Sequence, residues 1–142
     1  YEKWAAYGQS KTAASLLAIE VDKRMKDSGI RAFGVHPGGI MTPLQRHLEQ
    51  EEMVALGWMD EDGQPTERVA KMFKTPTQGA STSLWAATSP QLNDIGGVYC
   101  ENCEVAAPMD DGENARFIGV NDWAVDSEEA SRLWDETERM LS

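Results

Sequence analysis

The sequence predicts an α/β fold, and three observations carry that prediction. A long amphipathic helical pattern fills the first stretch of the chain. A short β-rich stretch, Ile30-Arg31-Ala32-Phe33-Gly34-Val35-His36, follows it and breaks at Pro37-Gly38-Gly39. A second helix and a last strand come later in the same order, the alternation that builds a sheet covered by helices.

The first helix has no proline between Trp4 and Lys26, glycine only at Gly8, and Ala14, Leu17, Ala18, Val21 and Met25 at steps of three or four, the expected buried stripe. It should stop at Asp27-Ser28-Gly29, with Lys23, Arg24 and Lys26 suiting the negative end of the dipole and Gly29 taking the left-handed cap. The strand to His36 should be buried. In open α/β sheets ligands sit outside the carboxyl ends of strands, so the turn after it is a natural binding loop. From Leu44 to Lys74 the pattern loosens; Leu44, Leu48, Met53, Leu56, Trp58 and Met59 are either an apolar cover over a ligand or the packed side of a helix. Thr75 should cap a helix that opens with Pro76, packs Ala80, Leu84, Trp85 and Ala87 on a sheet, and ends at Ser89-Pro90. Gly96 to Cys100 reads as the last strand, Asp110-Asp111-Gly112 as a turn, and Asp126 or Ser127 as the cap of a final helix through Leu141.

Composition bounds the function. At 142 residues there is room for one domain with a real core, and 26% charged with 41% hydrophobic residues is the balance of a soluble globular chain. A formal charge of −11 argues against nucleic acid or an anionic membrane as partner. Ten acidic and 3 basic residues from Asp110 onward read as a solvated terminal segment. No apolar run is long enough to span a membrane. The chain opens at Tyr1 with the helix under way within a few residues, which reads as part of a longer protein.

Chemistry concentrates at Tyr7-Gly8-Gln9-Ser10-Lys11. Positions i and i+4 share a helical face, so the Lys11 stem can run beside the Tyr7 ring and bring its charge toward the hydroxyl. A cation there favours phenolate over phenol, as proton exchange with a carbonyl or alcohol requires. His36 reads as a packed, hydrogen-bonded strand end and His47 as part of an exposed helical face. No ligand spacing for zinc is evident, and Asp60 with Asp62 lacks the rest of a calcium loop. Cys100-Glu101-Asn102-Cys103 has redox spacing but follows a strand, so reduced structural thiols and a cytoplasmic location are the better fit.

These motifs, in this order, resemble the C-terminal half of a classical short-chain dehydrogenase/reductase: Tyr7 to Lys11, a helix, a Gly-Ile-Arg strand entry, then His36-Pro37-Gly38-Gly39-Ile40-Met41-Thr42. The tail from Trp123 to Trp134 is similar to the closing helix of the retinol-dehydrogenase-like branch. The likeness covers nearly all of residues 1–142. It implies the C-terminal part of a Rossmann-type doubly wound parallel sheet, with residues 44–74 as a substrate lid and 123–142 as a closing helix. It implies hydride transfer between NAD or NADP and a carbonyl or alcohol, with Tyr7 as acid/base and Lys11 tuning it and bonding the nicotinamide ribose. Pro37, Gly38, Ile40 and Thr42 would line the nicotinamide end through the Ile40 backbone and the Thr42 hydroxyl. Met41, Leu44, Leu48 and Trp58 would face a lipophilic small molecule. Long helices in the family commonly pair subunits, so a homo-oligomer is implied.

No glycine-rich G-x-x-x-G-x-G or G-x-G-x-x-G turn occurs, so the residues here could finish a dinucleotide site but not build one. Two other readings stay open. Extended short-chain proteins that epimerise or dehydrate nucleotide sugars share the tyrosine–lysine pair, although Pro37 to Pro43 favours the classical group. The first helix and the tail could also serve as a non-enzymatic interaction module.

Overall fold

A computed structural model describes residues 1–109 and 118–142, so the turn expected at Asp110-Asp111-Gly112 lies outside the described residues. The chain forms two compact units, Tyr1–His36 with Thr82–Ser142, and Pro37–Ser81.

The first unit is built on helix α1 (Lys3–Met25), continued by a 3-10 turn over Lys26–Ser28 and closed by Gly29 at φ 78, the left-handed cap the sequence predicts. Its buried face differs from the expected stripe. Ser15, Leu16, Ile19, Glu20 and Asp22 are buried, while Leu17 and Met25 are 49% and 39% exposed. The reason is that two charged residues of that face, Asp22 and Glu20, find partners. Asp22 accepts from Arg31 Nε at 2.9 Å, Arg31 Nη2 at 3.0 Å and the Ala32 N–H at 3.0 Å, fixing the entry to the strand. The Arg31 guanidinium holds the Asp22 carboxyl below its usual range, against the opposing effect of burial. Glu20 accepts from Arg24 at 2.7 Å and Ser131 at 2.9 Å. Burial works against its charge, yet these bonds and the nearby Lys23 outweigh it and hold the carboxyl low.

Strand β1 (Phe33–His36) pairs in parallel with β2 (Val98–Glu101), and β2 pairs antiparallel with β3 (Glu104–Val105), in the order β1-β2-β3. The described sheet is therefore mixed where a purely parallel one was expected. The cause is the turn at Asn102-Cys103, whose φ values of 50° and 60° are those of a two-residue hairpin with the twist that strands prefer. The thiols at Cys100 and Cys103 are free; Cys100 is fully buried, which pushes its thiol up. The Cys103 N–H is taken by the Thr82 hydroxyl at 3.3 Å.

That bond also reports the buried side of helix α4 (Pro76–Thr88), opened by the Thr75 cap. Thr82 and Ala86 are buried and Leu84 is 64% exposed, so the face expected from Ala80, Leu84 and Ala87 is turned outward. The small side chains leave room for the neighbouring backbone to approach. Helix α5 (Ser127–Leu141) is capped by Asp126, which accepts from the Glu128 and Glu129 N–H groups. Leu16, Ile19 and Ala130 form its core against α1, flanked by Val125 and Leu133. Arg24 stacks over the Trp134 ring at 4.6 Å.

The second unit holds a 3-10 turn over Pro43–His47 and the short helices α2 (Gln50–Ala55) and α3 (Glu67–Met72). Trp58 meets Phe73 edge to face at 5.6 Å, and Val69 is its buried aliphatic. Asp60 folds the turn before α3 by accepting from the Asp62 and Gln64 N–H groups at 3.1 Å and 2.8 Å.

Candidate active site

The position of Tyr7 follows from how α1 crosses the sheet. Ser15 lies against Gly34, a side chain at Gly97 would meet Ile19, and Asp22 bonds the Ala32 N–H. Moving up the helix thus means moving down the strand, so the start of α1 lies at the carboxyl ends of β1 and β2. Tyr7 is about 12 Å of helix before Ser15, whereas β1 runs only about 7 Å beyond Gly34. The phenol therefore stands at and past the strand ends, the edge where α/β sheets bind ligands.

The local chemistry keeps it there. Glu2 caps α1 by accepting from the Trp4 and Ala5 N–H groups at 3.0 Å and 2.5 Å, and those bonds hold its carboxyl low. Trp4 sets its ring against Tyr7 edge to face at 6.2 Å. The Lys11 ammonium lies over the Tyr7 ring, 5.2 Å from its centroid. Tyr7 is 51% exposed and Lys11 is exposed, so both can meet a ligand.

The turn after β1 belongs to the second unit and holds Pro37, Gly38, Ile40 and Thr42 together. Gly38 has φ +92, and a Cβ there would meet the Lys74 side chain, whose stem covers it. Gly39 is covered by the Phe73 ring in the same way, and the Gly39 carbonyl accepts from the Lys74 N–H at 2.8 Å. The Ile40 carbonyl accepts from Gln45 Nε2 at 2.9 Å. The Thr42 hydroxyl serves a capping box, accepting from the Leu44 N–H at 3.3 Å and donating to Gln45 Oε1 at 3.2 Å. Among the tentative substrate residues, Met41, Leu48 and Trp58 are half-buried and Leu44 is 63% exposed. His36 is exposed, not packed as expected, because it ends β1 at the open rim; His47 is exposed on the 3-10 turn.

Sequence reasoning missed two residues of β2 that pair with β1. Tyr99 lies opposite Gly34 in the β1–β2 register, and its ring fills the space a Cβ at Gly34 would need, against Ser15. Burial, the charge of Glu101 and that of Tyr7 push the Tyr99 phenol up. Glu101 is 3% exposed, sits opposite His36 and accepts from the Gly119 N–H at 2.6 Å. The signal was the alternation along Val98-Tyr99-Cys100-Glu101, which puts Tyr99 and Glu101 on one face. Among the described residues no group of three His, Cys, Asp or Glu side chains could hold a metal, and no helix is long and apolar enough to cross a membrane.

No family model matches the sequence. The chain is 43% identical over 135 residues to a Streptomyces lividans protein named "Probable oxidoreductase", covering 95% of this chain and 44% of that one. It is 36% identical over 142 residues to short-chain dehydrogenase/reductase prx1 of Penicillium roqueforti, covering all of this chain and 39% of the relative. The chain is a homologue of the C-terminal part of short-chain dehydrogenase/reductases. Retinol dehydrogenase 13 of Mus musculus, at 30% identity over 141 residues and 37% of its own length, is a further relative. The chain spans about two fifths of the length of the curated relatives it matches.

Proposed function

We propose that the intact protein is an NAD(P)-dependent short-chain dehydrogenase/reductase acting on a lipophilic carbonyl or alcohol. The observation that carries this reading is the Lys11 ammonium 5.2 Å from the ring of a half-exposed Tyr7 at the carboxyl rim of the sheet. The named oxidoreductase relatives that run the length of the chain support it.

The residues present fit a nicotinamide ribose at one end. Tyr7 and Lys11 are both exposed, offering a phenol and an ammonium to its hydroxyls. Pro37, Gly38 and the Ile40 backbone would hold the nicotinamide end. The Thr42 hydroxyl would have to share its capping bond to do the same. A pyrophosphate site would come from other residues of the intact protein, since no glycine-rich turn is in this sequence. When bound, the cofactor supplies or accepts the hydride.

The chain's own part is the proton. In the reducing direction the Tyr7 O–H bond breaks as a new O–H bond forms on the substrate oxygen; in the oxidising direction Tyr7 takes that proton back. Lys11 stabilises the charge left on Tyr7 and bonds the ribose. Residues 44–74 act as the lid, with Met41, Leu44, Leu48 and Trp58 toward the substrate.

Incubating the intact protein with reduced or oxidised nicotinamide cofactors and a panel of lipophilic aldehydes, ketones and alcohols tests this. The expected result is stoichiometric loss or gain of reduced cofactor with product. Turnover of a nucleotide sugar with no net cofactor change would replace this reading with the epimerase class.

A further inference from the structure

The connection from α3 to α4 supplies a cation that the tyrosine–lysine pair does not use. Phe73 closes α3 with its N–H on the Val69 carbonyl at 2.8 Å, and the Thr75 hydroxyl opens α4 by accepting from the Gln78 N–H at 3.2 Å. Lys74 stands between those two fixtures and is half-buried. It is also stitched to the turn after β1: its N–H bonds the Gly39 carbonyl at 2.8 Å, and it pairs with Ile40 as a parallel bridge. Gly79, near the start of α4, admits the Ile40 side chain, which a Cβ there would strike, so the turn is held at that end too. The Lys74 side chain then lies along Gly38. A Cβ at Gly38 would stand 2.8 Å from Lys74 Cδ, 3.0 Å from Cε and 3.2 Å from Nζ, so stem and ammonium follow the bare Cα. Adding one carbon–carbon bond of about 1.5 Å puts the ammonium within about 5 Å of the Gly38 Cα.

We propose that Lys74 is a cofactor-binding residue, its ammonium held at the Gly38 turn to take a phosphate of the dinucleotide's diphosphate. This rests on the reading of Pro37, Gly38 and Ile40 as the nicotinamide end of the site. The diphosphate is joined to the nicotinamide ribose, so an anion arrives next to whatever part of the protein holds that end. The chain is formally −11 and repels such a ligand at long range, which makes a cation fixed at the turn the place where attraction is gained. No glycine-rich turn in this sequence offers backbone N–H groups to the phosphates, so a side-chain cation is its means of holding one. A lysine suits that task, being a compact point charge with three donors, and a stem already laid on a glycine has less freedom to lose on binding. The substrate class assigned above is lipophilic and brings no anion, which leaves the cofactor as the ligand of this charge.

Lys74→Met isolates the charge, because an unbranched stem still covers Gly38. The intact protein and this variant are titrated with NADH, with NADPH and with ADP-ribose, which carries the diphosphate but no nicotinamide, at low and at physiological salt. At low salt the dissociation constants of ADP-ribose and of the preferred reduced cofactor should each rise at least about fivefold in the variant. The weakening that added salt causes in the parent should be smaller in the variant, since one screened contact is gone. Equal affinities in the two proteins overturn the proposal and make the stem a cover for the turn. So does a loss confined to NADH and NADPH with ADP-ribose unaffected, which would place the ammonium at the nicotinamide, and so does a loss that salt leaves unchanged, which would be structural. A parent that binds none of the three ligands overturns the cofactor reading itself.

Discussion

Gly96→Ala should destabilise the protein far more than a glycine-to-alanine change in a loop ordinarily does. A Cβ at Gly96 would land on the Asp22 carboxylate and on the Arg31 guanidinium, so the pair at the strand entry must break or the loop must shift. Overpacking of this kind costs about 1–3 kcal/mol, and an Ala32 N–H left without Asp22 adds about 1 kcal/mol. The expected loss is about 3 kcal/mol, or roughly 10 °C in midpoint for a chain of this size. Urea and thermal unfolding at neutral pH read it directly. The mechanism has a sharper check in a cycle with Asp22→Ala, which removes the atoms the new methyl strikes. Asp22→Ala alone should cost about 2–3 kcal/mol, and the double variant at least about 1 kcal/mol less than the two single losses together. Strict additivity would refute the argument, because the methyl would then be acting elsewhere.

Other consequences concern the same framework. Asp22 and Glu20 have carboxyls held below their unfolded values, so their stabilisation is complete above about pH 5 and is lost as pH falls through the lower folded values. The urea midpoint should therefore drop steeply in acid, and Asp22→Asn should flatten that drop; an unchanged slope would assign the acid sensitivity to other groups. Cys103→Gly relieves a side chain at φ 60 in the hairpin turn and should stabilise by about 0.5–1 kcal/mol in urea titrations. Ala130 is 1% exposed against Leu16 and Ile19, so Ala130→Leu should lower the thermal midpoint through about 1–3 kcal/mol of overpacking, and a neutral result would mean that α5 sits looser on α1 than described.

What was legible in the sequence was local. Gly29, Thr75 and Asp126 cap helices by bonds to residues two to four positions away or by a single left-handed residue, so composition and spacing reveal them. Tyr7 and Lys11 were legible for the same reason, since one helix sets their distance. The buried face of α1 was not, because Glu20 and Asp22 are buried only by virtue of Ser131 and Arg31, partners 111 and 9 residues away. Leu84 on α4 looked like core by type. The small residues Thr82 and Ala86 won the interior by letting backbone come close. The hairpin at Asn102-Cys103 was hidden by its cysteines, which drew attention to redox spacing instead of turn chemistry. Tyr99 and Glu101 meet Gly34 and His36 only through strand register, and Lys74 and Phe73 cover Gly38 and Gly39 only once the chain has doubled back.

The most direct test of the central claim is single-turnover and steady-state turnover of Tyr7→Phe in the intact protein, with cofactor binding followed by titration. The account predicts that turnover is abolished while cofactor affinity stays within about threefold of the parent, since the phenol supplies the proton and little of the binding. Near-normal turnover by that variant would contradict it.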